Sequence, residues 1–101
     1  MIYDKLIRDK IPEIIRNNNK NPITHTASEE EYKEKLYKKL EEEVKEFLKE
    51  DNTDELADIL EVYYAILELK NISKEQIEKI RKEKAEKRGS FKNRLILEEV
   101  K

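Results

Sequence analysis

EEEYKEKLYKKLEEEVKEFLKEDNTDELADILEVYYAILELK, residues 29–70, carries the architecture of this chain. Placed at about 100° per residue, it resolves into two helices, one over 29–49 and one over 54–70. On the first, Tyr32, Leu36, Leu40, Val44, Phe47 and Leu48 share one wide apolar arc. On the second, the apolar residues are Leu56, Ile59, Leu60, Val62, Tyr63, Ile66, Leu67 and Leu69. The short gap between them leaves room only for a tight helix–helix connection at Asp51-Asn52-Thr53. The period is helical throughout, so the expectation is an all-α fold: a helical bundle with two central antiparallel helices.

Acidic residues interrupt both arcs. Glu43 falls among Leu36 and Phe47, and Glu46 at the edge of the same arc, with Glu42 nearer the polar side. On the second helix Glu55 lies among Ile59, Val62 and Ile66, and Asp58 at the rim beside Leu69. Glu61 and Glu68 project from the opposite side, where solvated charge belongs. Each pair, Glu43 with Glu46 and Glu55 with Asp58, is three residues apart and shares roughly one face. Inward carboxylates that converge repel one another unless cations sit between them. Hard divalent ions such as Mg²⁺ take oxygen ligands and keep several waters, and facing helices of a bundle are a natural place to hold them. The competing reading is a solvated acidic face. Nineteen of the 101 residues are Glu, so pairs such as Glu31/Glu34, Glu75/Glu78 and Glu83/Glu86 arise by composition alone. Spacing therefore has little specificity here; the inward position of Glu43 and Glu55 is what favours a metal.

Glu42-Glu43-Val44-Lys45-Glu46 followed by Glu55-Leu56-Ala57-Asp58 resembles the EExxE…ExxD signature of the MazG-like, all-α nucleoside triphosphate pyrophosphohydrolases. The opening, Tyr3-Asp4-Lys5-Leu6-Ile7-Arg8-Asp9-Lys10-Ile11-Pro12-Glu13-Ile14-Ile15, is similar to that of a small, single-domain, phosphoribosyl-ATP pyrophosphohydrolase-like branch. The tail Lys84-Ala85-Glu86-Lys87-Arg88-Gly89-Ser90-Phe91 is similar to that branch as well. The resemblance implies a cytoplasmic enzyme that splits a nucleoside triphosphate into monophosphate and pyrophosphate with Mg²⁺, with Mn²⁺ as a substitute. It maps the metal ligands onto Glu43, Glu46, Glu55 and Asp58, and gives Glu42 a supporting or water-orienting role. A house-cleaning task against unwanted nucleotides fits such a family. Eight residues separate Glu46 from Glu55, which leaves little room for a base-recognition insertion.

At 101 residues the chain reads as one domain, 1–101. With 37% hydrophobic and 46% charged residues, a lone monomer would have a thin core. Arcs this wide can serve more than one neighbour, so the bundle is expected to be completed by a second copy, as a homodimer or higher homo-oligomer. The competing expectation is a small monomeric three-helix bundle. There is no Cys, hence no disulfide framework. No apolar run approaches membrane-spanning length, no signal-peptide pattern opens the chain, and a net charge of −2 offers no basic field for a nucleic acid.

Local signals organise the remainder. Residues 1–9 read as irregular or extended, and Pro12 suits the first turn of a short helix ended by Asn17-Asn18-Asn19. Ser28 with Glu31 has capping-box spacing, as do Asn52 with Glu55 and Ser73 with Gln76. The second of these offers Glu55 a purely structural role that competes with ligation. Ile72 and Ile77 have staple spacing, and Gly89 stands where a left-handed residue would end a last helix. Beyond it, Phe91 and Leu95-Ile96-Leu97 are expected to dock on the body or on a partner.

Basic residues admit two readings. On the last helix Ile77 and Ile80 begin a stripe that Lys84 and Arg88 continue, as phosphate partners or as snorkelling side chains at a bundle end. Lys5, Arg8 and Lys10 pose the same question, and the resemblance puts that opening near the nucleotide. His25, the one histidine, reads as a surface loop residue. The expected chemistry is metal-assisted phosphoanhydride hydrolysis, with Glu42 as candidate acceptor of a water proton. Its rivals are the phosphoribosyl-ATP pyrophosphohydrolase of histidine biosynthesis and a non-catalytic helical interaction protein.

Overall fold

A computed structural model of the chain describes residues 3–101. Its helices are α1 (Ile11–Asn17), α2 (Glu29–Glu50), α3 (Thr53–Leu69) and α4 (Lys74–Arg88), and no strand occurs among the described residues. The all-α expectation holds. α2 starts where Ser28 accepts a hydrogen bond from the Glu31 N–H at 3.2 Å. It ends at Asp51, whose left-handed backbone (φ 52°, ψ 47°) lets its N–H reach the Phe47 carbonyl at 2.7 Å. α3 then begins at once, capped by Asn52, so the chain reverses within two residues and α2 and α3 lie antiparallel.

These two helices are the pair that packs together along its length. Leu36 of α2 with Val62 and Leu67 of α3 are the apolar residues buried outright among those described. Val44, Leu48, Leu56 and Leu60, part of the same apolar arcs, remain exposed. The arcs are therefore wider than one hairpin can cover.

Two appendages leave the hairpin. At its N-terminal side, residues 3–10 run beside α2, held where Lys35 Nζ donates to the Asp4 carbonyl oxygen at 3.0 Å, with Leu6 and Ile7 half-buried. Pro12 sits in the first turn of α1, where its missing N–H costs nothing. At the other end, Asn71 takes a positive φ (56°), and the Ile72 N–H bonds back to the Leu67 carbonyl at 2.9 Å. α4 follows with a complete capping box between Ser73 and Gln76, and Lys74 Nζ lies 3.9 Å from the Tyr64 ring centroid. No residue of α4 is buried. The spatial extents, 61 × 31 × 24 Å, exceed the roughly 33 Å of a 22-residue helix, and α4 with the tail accounts for the excess. The radius of gyration is 18.3 Å, against about 13 Å for a compact chain of this length. Gly89 ends α4 with a positive φ of 84°, and the tail beyond it docks on nothing within its own chain: Phe91 is 97% exposed.

Candidate metal centre

The hairpin has an acidic side near its turn. The packing that buries Leu36 rotates Glu43 toward α3, leaving its side chain only 12% exposed. The cap at Asn52 does the same for the other helix. Its side-chain oxygen accepts from the backbone N–H of Glu55 at 3.0 Å, which uses the main chain of Glu55 and leaves the carboxylate free. Capping, which competes with ligation in the sequence, thus uses a main-chain atom of Glu55 and leaves its side chain out of the cap. One turn further along α3, Asp58 comes alongside. Oxygens of Glu43, Glu55 and Asp58 lie within 4.8 Å of one another.

Cations accompany two of the three. Lys39 Nζ stands 3.4 Å from Glu43, and Arg8 Nη2 donates to Asp58 Oδ1 at 2.8 Å. Glu55 has no cationic partner among the described residues. Its pKa is raised, first by loss of hydration and then by the charges of Asp58, Glu46, Glu43 and Glu50. The cluster is therefore short of positive charge, and the shortage falls on its central carboxylate.

The other expected site residues are distributed unevenly. Glu46 is exposed and lies outside the tight trio, though near enough for its charge to act on Glu55. The Glu42 carboxylate is held between Lys5 Nζ at 3.6 Å and Lys39 Nζ at 3.7 Å. Lys5 and Arg8 thus both lie on the acidic side, delivered by the segment before α1. Lys10 occupies the N-cap of α1 and is exposed. Lys84 and Arg88 are exposed on α4, which does not pack along the hairpin, so one chain does not join them to the trio. A concavity of about 470 Å³ along α4, between Glu75, Glu78, Lys82 and Glu86, is likewise open helix surface apart from the acids.

Lys39 is the residue that sequence reasoning passed over. Its signal was present: it stands three and four residues before Glu42 and Glu43, the spacings at which a helical lysine reaches a carboxylate. His25 is two-thirds exposed and pairs with Glu31 at 2.8 Å, consistent with a surface role. That contact occupies the Glu31 carboxylate beside the cap it was expected to complete.

No protein-family model matches the chain, and no solved structure matches it. An uncharacterised protein of Mycolicibacterium smegmatis is 44% identical over 50 residues, which is 50% of this chain and 51% of that protein. The chain thus spans about half the length of the curated relative it matches. No helix among the described residues is long and apolar enough to cross a membrane.

Proposed function

We propose that the chain is a divalent-cation-dependent nucleotide pyrophosphohydrolase of the MazG-like kind, releasing a nucleoside monophosphate and pyrophosphate in a house-cleaning role. The observation that carries the reading is the trio Glu43, Glu55 and Asp58 within 4.8 Å, with one carboxylate lacking a cationic partner. Three hard oxygen ligands from two helices suit Mg²⁺, or Mn²⁺ in its place, and leave positions for water and phosphate oxygens. Glu46, one turn from Glu43, would complete the set after a change of rotamer.

A bound ion supplies Lewis acidity toward phosphate oxygens and acidifies a coordinated water. The chain's own residues do the rest. Arg8, held at Asp58 in the free chain, is placed to turn its planar fork to a phosphate once the acid is occupied. Lys5 and Lys39 add positive charge on the same side. Glu42 accepts a proton from an attacking water, with Lys5 and Lys39 beside it.

A pyrophosphate-release screen over standard, oxidised and deaminated nucleoside triphosphates, with phosphoribosyl-ATP alongside, tests this. The expected result is turnover of at least one nucleoside triphosphate that needs Mg²⁺ or Mn²⁺ and is lost in Asp58→Ala. Preference for phosphoribosyl-ATP would move the assignment to histidine biosynthesis. Turnover that persists in chelator, or none on any substrate, would reject the reading.

A further inference from the structure

The opening segment is tied down on both sides of Arg8. Ahead of it, Lys35 Nζ donates to the Asp4 carbonyl oxygen at 3.0 Å and stands 3.4 Å from the Asp4 carboxylate, and Leu6 and Ile7 are half-buried. Behind it, the Ile11 N–H donates to the Arg8 carbonyl oxygen at 3.1 Å as α1 begins. The Arg8 backbone is therefore fixed between two anchors. Its side chain is held far more lightly. It is 57% exposed, and its hydrogen bond to Asp58 joins one nitrogen to one oxygen rather than a paired fork to both.

Two of the three clustered acids thus have a cation supplied by the chain, and the two cations differ. Lys39 Nζ lies 3.4 Å from Glu43 and 3.7 Å from Glu42, is largely covered, and rises from the same helix as both acids. It keeps Glu42 even when Glu43 turns to another ligand. Arg8 reaches Asp58 from fifty positions away, through a contact open to solvent at both partners. Exposed pairs of this kind contribute little and exchange readily. A divalent ion at the trio attracts the same carboxylate with twice the charge, and at Glu55 it displaces no cation.

We infer that Arg8 is a built-in counter-ion, which holds Asp58 when no divalent ion is bound and is displaced when one binds. The inference rests on the cation-dependent reading above and concerns what this chain's own arginine does toward the ion. Because the backbone stays anchored, displacement is a rotation of the side chain, and the guanidinium remains at the edge of the site. One residue then acts with opposite sign in two measurements. It weakens binding of the ion alone, since only chains with Asp58 released can take the ion fully. It supports turnover, since the released guanidinium is at hand for a phosphate.

Calorimetric titration with Mn²⁺ alone, at pH 7 and about 0.15 M salt, tests this. The Kd should fall about two- to fivefold in Arg8→Gln, the range for removing a competing exposed ion pair. Lys10→Gln removes the same charge from the same segment, at a residue with no ion pair among those described. Its Kd should stay within about 1.5-fold of wild type, because salt screens a charge that makes no contact with the acids. A second measurement needs no variant to fold. Adding Mg²⁺ to the wild type should shift the Arg8 Nε–Hε resonance and leave that of Arg81, bonded to Glu78 on α4, in place. Equal or weaker affinity in Arg8→Gln, an equal gain in Lys10→Gln, or an Arg8 signal that ignores Mg²⁺ overturns the inference and leaves the metal reading standing. No ion binding in any of the proteins overturns the metal reading, and the inference falls with it.

Discussion

α2, the first helix of the hairpin, and α4 are made of nearly the same polar residues, yet only the hairpin organises its charge. α2 alternates Glu and Lys as densely as α4 does, but it also carries apolar residues at Tyr32, Leu36, Leu40, Val44, Phe47 and Leu48. α4 has Ile77, Ile80 and Ala85, too narrow a stripe to hold a neighbour. Packing gives the hairpin acids fixed directions, so Glu43, Glu55 and Asp58 converge. Beyond Lys74 at its start, the charge pairing seen on α4 lies within its own helix, where Arg81 Nε donates to Glu78 at 2.9 Å and lowers the Glu78 pKa through that bond. A Glu three residues from another Glu joins a converging cluster on one helix and stays in solvent on the other, and the apolar residues between them make the difference.

The sharpest way to break this contrast is to remove matching acids from both regions. Glu43→Ala or Asp58→Ala should lower nucleotide hydrolysis by about 10²–10³-fold or more, the scale for losing a group that stabilises developing charge. Glu78→Ala and Glu83→Ala should leave kcat/KM within about twofold. Calorimetric titration with Mn²⁺ on the same proteins should show binding in the α4 variants and none in Glu43→Ala; equal binding in all four would dissolve the distinction.

Stability gives the next largest effect. Leu36 is 2% exposed, and Leu36→Ala should cost about 2–5 kcal/mol in denaturant unfolding. Ile80, half-exposed on α4, should cost less than about 1 kcal/mol as Ile80→Ala. Comparable losses would mean that α4 is packed in solution, most simply against another copy.

Cations sharpen the comparison further. Arg8→Ala should reduce kcat/KM about ten- to a hundred-fold, the range for losing a charge-assisted hydrogen bond to a phosphate. Lys84→Ala and Arg88→Ala should change it by less than about threefold, because α4 stands clear of its own hairpin. A large loss in Arg88→Ala would instead bring that guanidinium to the site from a second copy.

The smallest effect is in the pH dependence of the metal-free protein. Glu55 has a raised pKa when folded, so the folded chain holds its proton more tightly than the unfolded chain does. Its contribution to stability is full below the ordinary value of 4.5 and is lost as pH rises through the raised one. Glu55→Gln lacks this slope. Its Tm, relative to wild type, should therefore be higher at pH 7 than at pH 4. Millimolar Mg²⁺ at pH 7 should raise the wild-type Tm and leave that of Glu55→Gln less changed. A difference that is flat with pH would mean the acids do not crowd Glu55.

By itself the sequence determined the helices, their caps and the reversal at Asp51-Asn52. Those depend on contacts within a few residues: apolar periodicity, Ser28, Asn52 and Ser73 ahead of their helices, and Asp51 and Asn71 tolerating a positive φ. It also marked Glu43, Glu55 and Asp58, because a helical wheel places a residue relative to its own helix. Three things lay beyond that horizon. Arg8 meets Asp58 across fifty positions of chain, a contact that only the docking of the opening segment creates. Of the apolar arcs, the core used Leu36, Val62 and Leu67 and left Val44, Leu48, Leu56 and Leu60 bare, because two helices in contact can cover only part of each other's circumference. The stripe through Ile77, Ile80, Lys84 and Arg88 ran along a helix with no buried residue. Periodicity states which residues share a side; what that side meets is decided by the rest of the fold, through the area two surfaces can bury together.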